Sequence, residues 1–171
     1  MVNQSNQKNT GLSHLIWAVG GALAGLWIVR ENLAWSKKSR AEKESPEDAE
    51  AAYTEIAEIL DEWEPDDCIS ENDFTWDLAE YLAENTDLEI EVLPDSPVGK
   101  PDILIGDLIA LELKINPSKA ESDRCFGQCA GYSRLWITWM VIIDSPASNI
   151  GRLEELLKDK GLEHILVWNF L

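Results

Sequence analysis

Residues 101–115 read PDILIGDLIALELKI. Two runs of aliphatic residues, mostly Ile and Leu, flank Gly106-Asp107, which is the pattern of a β-hairpin with strands over 101–105 and 108–115. Within the second run Glu112 and Lys114 interrupt a stretch that is otherwise apolar. A charge buried there is costly unless it is paired or ligates a metal. Two residues apart, the pair points to one face of its strand. Whether Asp102 joins it depends on register. A two-residue turn sets Ile105 opposite Leu108 and sends Asp102 to the far face. One additional residue sets Ile105 opposite Ile109, and Asp102 then lies across from Glu112. A three-residue or bulged loop around 106–108 is therefore expected.

C-terminal to the hairpin, Ser118-x-x-Glu121 is a capping-box pattern and opens a helix running towards Leu135. Arg124, Gln128 and Tyr132 recur every four residues and form a polar stripe on it, with Gly127 and Gly131 as a smooth neighbouring stripe suited to close packing. A strand over 139–143, a helix over 149–160 stopped by Gly161, and a strand over 164–170 follow. On the N-terminal side, 88–93 alternates as a strand. Residues 71–85 form a helix with Phe74, Leu78, Tyr81 and Leu82 on one face. An earlier helix opens at Ser45-Pro46-Glu47-Asp48, carries Ala52, Ile56, Ile59, Leu60 and Trp63, and ends before Pro65. This order predicts an α/β domain, a mixed central sheet flanked by helices.

The hairpin also carries the chemistry. Asp102 and Glu112 on one face make a two-carboxylate clamp for a hard divalent ion, and oxygen ligands of this kind suit Mg²⁺, with Mn²⁺ as a substitute. The ammonium of Lys114 beside it can lower a water's pKa or steady charge developing on a phosphate. The Arg124/Gln128/Tyr132 stripe suits a phosphodiester strand.

The chain has 171 residues, with 14 Lys and Arg against 32 Asp and Glu, for a net charge of −18. The imbalance is uneven: residues 1–40 hold five bases and one acid, while all other acids lie in 41–171. Such acidity excludes a general nucleic-acid coat. Three cysteines, Cys68, Cys125 and Cys129, form no disulfide framework, and their spacing fits core packing better than a metal cluster. The two histidines, His14 and His164, have no nucleophile at a recognisable spacing, and a Gly-rich phosphate loop is lacking.

Residues 12–29, LSHLIWAVGGALAGLWIV, are apolar on every face and bracketed by Trp17 and Trp27. With Lys37, Lys38, Arg40 and Lys43 following, they read as a single transmembrane helix with its C-terminal side in the cytoplasm. The reversed charge order argues against a cleaved signal peptide. Gly21-x-x-x-Gly25 offers a face for homo-oligomer pairing. The expected organisation is an anchor over 1–35, a charged linker over 36–50 and a domain over 51–171, its core at 71–171.

The run PD-x9-ELK, followed by a helix with Gln128-x3-Tyr132, resembles the PD-(D/E)xK nuclease superfamily. It is most similar to the RecB-like branch with the QxxxY helix, and the resemblance covers about residues 71–171. It implies a restriction-endonuclease-like core in which Asp102, Glu112 and the carbonyl of Leu113 bind the metal. Lys114 would orient or activate the attacking water, and Gln128 and Tyr132 would position the DNA strand. A further carboxylate is implied on the helix before the first strand, where Glu71, Phe74 and Leu78 match the family spacing and Asp77 competes. The chain departs from the iron–sulfur members of that branch, which carry four cluster cysteines. Its acidity also opposes DNA binding at ordinary ionic strength. Two expectations follow: a membrane-anchored, Mg²⁺-dependent nuclease, with a salt-loving host as one source of the acidity, or a catalytically inactive interaction or scaffold module on the same fold.

Overall fold

A computed structural model describes residues 46–65 and 68–170, with side chains from residue 49 onward. The expected anchor at 12–29, its expected Gly21/Gly25 face, the expected linker up to 45 and the expected Ser45 cap lie outside the described residues. Among the described residues, no helix is long and apolar enough to cross a membrane.

In chain order the elements are α1 (Pro46–Glu62), α2 (Glu71–Asn85), β1 (Ile90–Val92), β2 (Ile103–Ile105), β3 (Ile109–Ile115), α3 (Lys119–Tyr132), β4 (Ile137–Ile143), α4 (Ala147–Asp159) and β5 (Leu166–Phe170). They build a five-stranded mixed sheet in the order β1-β2-β3-β4-β5. β1, β2 and β3 are antiparallel, whereas β3, β4 and β5 run parallel. The α/β class and the helix-flanked mixed sheet are as the sequence leads one to expect.

Strand alternation divides the core. Leu111 and Leu113 of β3, with Trp139 and Val141 of β4, face one way and pack with Ile56 and Leu60 of α1 and Leu78 and Leu82 of α2. The opposite face carries two separate apolar clusters. Leu104 and Ala110 meet Tyr132 and Trp136. Met140 and Ile142 meet Cys125 and Cys129 of α3 and Leu153 and Leu157 of α4. Glu112 and Lys114 sit on this face, in the seam between the two clusters, where their β4 partners are Met140 and Ile142. Cys125 and Cys129 are core residues, as their spacing suggested.

The hairpin has the expected odd loop. Ile105 pairs with Ile109 and Ile103 with Leu111. Gly106 and Asp107 both take left-handed backbone, with φ of 57° and 51°, and Leu108 N–H donates to Ile105 O at 2.9 Å. This is a type I′ turn with Leu108 as the extra residue. Glycine suits 106 for its φ, and a Cβ there would stand 3.3 Å from Leu88 Cδ2, which would have to give way.

Element ends shift by a few residues, each for a local reason. β1 stops at Val92 because Leu93 turns to a φ of 52°. β2 begins at Ile103, since Pro101 has no N–H and Asp102 N–H leaves the ladder for Leu111 O. β4 starts at Ile137, two residues before 139, because Ile137 pairs with Ile109. β5 starts at Leu166, since 162–165 is taken up by a turn closed by Ile165 N–H on Leu162 O at 2.9 Å. α3 ends at Tyr132, where the N–H groups of Leu135 and Trp136 both turn back onto its carbonyl.

One start signal escaped the sequence reading. Ser70 caps α2, with Ser70 Oγ accepting from Asp73 N–H and the Asp73 carboxylate accepting from Ser70 N–H. Because Glu71 follows immediately, this box also fixes where Glu71 stands. Ser70→Ala is expected to cost about 1 kcal/mol in a urea titration. An unchanged midpoint would deny the cap its role.

Candidate active site

β3 outruns β2. Its pairs with β2 end at Leu111, so residues 112–115 have no strand neighbour on that side. Asp102 occupies the gap. Its carboxylate Oδ2 accepts from Leu113 N–H at 2.7 Å, and its own N–H donates to Leu111 O at 3.0 Å. The side chain thus satisfies a buried main-chain donor that a longer β2 would otherwise serve.

Lys114 gathers the rest. Its Nζ lies 2.8 Å from Glu71 Oε1, 3.1 Å from Glu112 Oε1 and 3.8 Å from Asp102 Oδ2, and it donates to the carbonyl of Leu113. Every residue expected at the metal centre is therefore brought to one place: Asp102, Glu112, Lys114, Glu71 and the Leu113 carbonyl. Side-chain exposure rises outward from 1% at Glu112 and 5% at Lys114 to 15% at Asp102 and 45% at Glu71. The cluster is walled by the sheet and opens to solvent on the Glu71 side. Asp77, the competing carboxylate, is committed elsewhere: its Oδ2 accepts from Trp63 Nε1 at 2.8 Å and ties α2 to the end of α1.

The electrostatics follow from this crowding. Burial, and then the neighbouring Asp102, push the Glu112 carboxyl up to about 7 against the pull of Lys114. Burial also raises Asp102, opposed by Lys114 and by the Leu113 N–H. For Lys114 burial works against the charge, but Glu112, Glu71 and Asp102 together outweigh it and hold the ammonium above the ordinary lysine value.

In metal-free protein the Glu112 carboxyl links stability to pH. Between pH 4.5 and 7 the folded state keeps a proton on Glu112 that the unfolded state loses. This group's contribution therefore falls as pH rises through that window and is level above it, a change of roughly 3 kcal/mol. The groups facing it are Lys114, Asp102, Tyr132 and Cys129. Glu112→Gln should flatten the slope of unfolding free energy between pH 5 and 7. An unchanged slope would mean that Glu112 titrates normally.

The polar stripe of α3 is graded rather than uniform. Arg124 is exposed, Gln128 half-buried and Tyr132 buried. Tyr132 donates to the main-chain carbonyl of Lys100 at 2.7 Å, and Gln128 Nε2 lies 3.4 Å from the Tyr132 hydroxyl. Gln128 Oε1 is buried without a partner. The two glycines differ: a Cβ at Gly131 would meet Val98 O at 3.4 Å, whereas Gly127 has nothing within 4 Å. Only Gly131 therefore serves the close approach expected of both. Missed from the sequence were Gly99 and the Lys100 carbonyl, within a stretch that read simply as a loop. Their one signal was a glycine shortly before Pro101-Asp102.

Among the described residues, no group of three or more His, Cys, Asp or Glu side chains is arranged so that it could hold a metal ion; the Lys114 ammonium lies among the carboxylates of Glu71, Glu112 and Asp102. The donor chemistry nonetheless fits a hard divalent cation. Asp102, Glu112 and the Leu113 carbonyl are all oxygen ligands, and Glu112 Oε2 is buried with no hydrogen-bond donor. Comparison of the chain with models of known protein families, with curated proteins and with solved structures gives no match.

Proposed function

We propose that this protein is a Mg²⁺-dependent phosphodiesterase of the PD-(D/E)xK type that acts on DNA. In this proposal residues 12–29 tether it to the membrane and the α/β domain lies on the cytoplasmic side. The supporting observation is the convergence of Asp102, Glu112, Glu71 and Lys114 where β3 runs past β2. Asp102, Glu112 and the Leu113 carbonyl would hold Mg²⁺, which would supply Lewis acidity at a phosphate oxygen and ease the deprotonation of water. The remaining work falls to the chain. Lys114 stays protonated, places a charge-assisted donor beside the attacked phosphorus and stabilises charge on the phosphate oxygens. Glu71, 2.8 Å away, holds that ammonium in place. Arg124, exposed on α3, meets the backbone of the strand. Acidic repulsion of DNA is relieved by salt, since the Debye length is only about 3 Å at 1 M.

The experiment is incubation of full-length protein, purified in detergent, with linear DNA over a range of salt. Mg²⁺-dependent cleavage that a chelator abolishes is expected. Absence of cleavage at every salt concentration would contradict the proposal. It would favour the second reading, a non-catalytic interaction or scaffold module. That reading draws on the satisfied ion pairs of Lys114 and on the net charge of −18.

A further inference from the structure

We infer that Tyr132 is a positioning residue for Asp102, acting through the main-chain carbonyl of Lys100 and not through contact with a substrate strand; the inference rests on the site proposed above. The ring of Tyr132 is buried between Leu104, Ala110 and Trp136. Its hydroxyl proton is already committed to Lys100 O, at 2.7 Å. Lys100 precedes Asp102 by two residues, and the intervening Pro101, with its fixed φ, transmits the constraint. Asp102 is held on its other side too, its carbonyl accepting from Leu93 N–H at 3.0 Å.

The loop carrying Lys100 is shaped to meet this ring. Ser96 Oγ donates to Gly99 O at 2.5 Å, and Lys100 Nζ pairs with Asp95 at 2.9 Å, so the loop closes on itself. Gly99 has a φ of +124°, and a Cβ there would lie 3.0 Å from Tyr132 Cε1. The ring therefore seats directly on bare main chain, at a position that both its backbone angle and its spacing restrict to glycine. Gly131 lets the same helix turn approach Val98 O. Two glycines, one hydroxyl and one proline thus lock the segment that aims the Asp102 carboxylate at Leu113 N–H and Lys114. A tyrosine serving a DNA strand would instead keep its hydroxyl free and its ring accessible.

The decisive variant is Tyr132→Phe, which keeps the ring and removes only the hydroxyl. In metal-free full-length protein, amide hydrogen exchange at Leu113, whose N–H the Asp102 carboxylate accepts, should accelerate roughly 5- to 10-fold. Exchange at Val141, in the centre of the sheet, should not change. Gly99→Ala, which perturbs the same contact from the loop side, should give the same local pattern. Unchanged exchange at Leu113, or equal acceleration at Leu113 and Val141, would overturn the inference. In cleavage assays Tyr132→Phe should lower kcat and leave KM for DNA unchanged; a raised KM with unchanged Leu113 exchange would assign the residue to substrate. Should wild-type protein neither bind Mn²⁺ nor cleave DNA, the proposed function fails, while the exchange data still decide the positioning role.

Discussion

Replacing Lys114 with methionine is expected to cost about 3 kcal/mol of stability at pH 8 and to slow DNA cleavage about 10²- to 10³-fold. Methionine keeps the volume of the stem, so packing changes little. What disappears is the one cation among the described residues that faces Glu71, Glu112 and Asp102, at 2.8, 3.1 and 3.8 Å. Glu112 is buried, and its charge is then left without compensation. Removing one partner of a buried pair costs more than the pair was ever worth, because the surviving ion stays desolvated. The cost should shrink as pH falls from 8 towards 5, where Glu112, pushed up to about 7 even beside Lys114, carries a proton. Urea titrations of both proteins at the two pH values measure this. A cost that does not change with pH would mean that the lost interaction is not with the Glu112 charge. Cleavage equal to wild type would remove Lys114 from the chemistry.

Asp102 allows its structural and chemical roles to be separated. Asp102→Asn keeps an oxygen that can accept from Leu113 N–H, so its stability should stay within about 1 kcal/mol of wild type. Asp102→Ala orphans that buried N–H, which the wild type satisfies at 2.7 Å, and should lose about 1–3 kcal/mol. Both variants remove the carboxylate charge, and both should lose cleavage by about a thousandfold or more if Asp102 serves the metal. An active Asp102→Asn enzyme would reduce Asp102 to a substitute for a missing strand.

Much of this was written in the sequence, and the unread part has a common cause. The hairpin register was readable because one charged pair in an apolar strand constrains which face a third charge must share. The helix faces of α2 and the capping box at Ser118 were readable from spacing alone. The approach of Glu71 to Lys114 was readable only from the spacing that the resemblance to the nuclease superfamily implies, since these residues are 43 apart in the chain. The assignment of Tyr132 to the Lys100 carbonyl was not readable. A stripe spaced by four fixes a direction on a helix but not its depth, and α3 tilts from exposed Arg124 to buried Tyr132. Equally hidden was the separation of the α3-facing core into two clusters, which leaves the seam where Glu112 and Lys114 lie. Such a seam arises from tertiary packing, to which local pattern is blind.

The most direct measurement is a calorimetric titration of full-length protein with Mn²⁺, beside Glu112→Gln. Saturable binding by the wild type, weakened about a hundredfold or more in the variant, is the expected result. Wild-type protein that takes up no Mn²⁺ at millimolar concentration, or a variant that binds as tightly as wild type, would show that the carboxylates around Lys114 do not form a divalent-cation site.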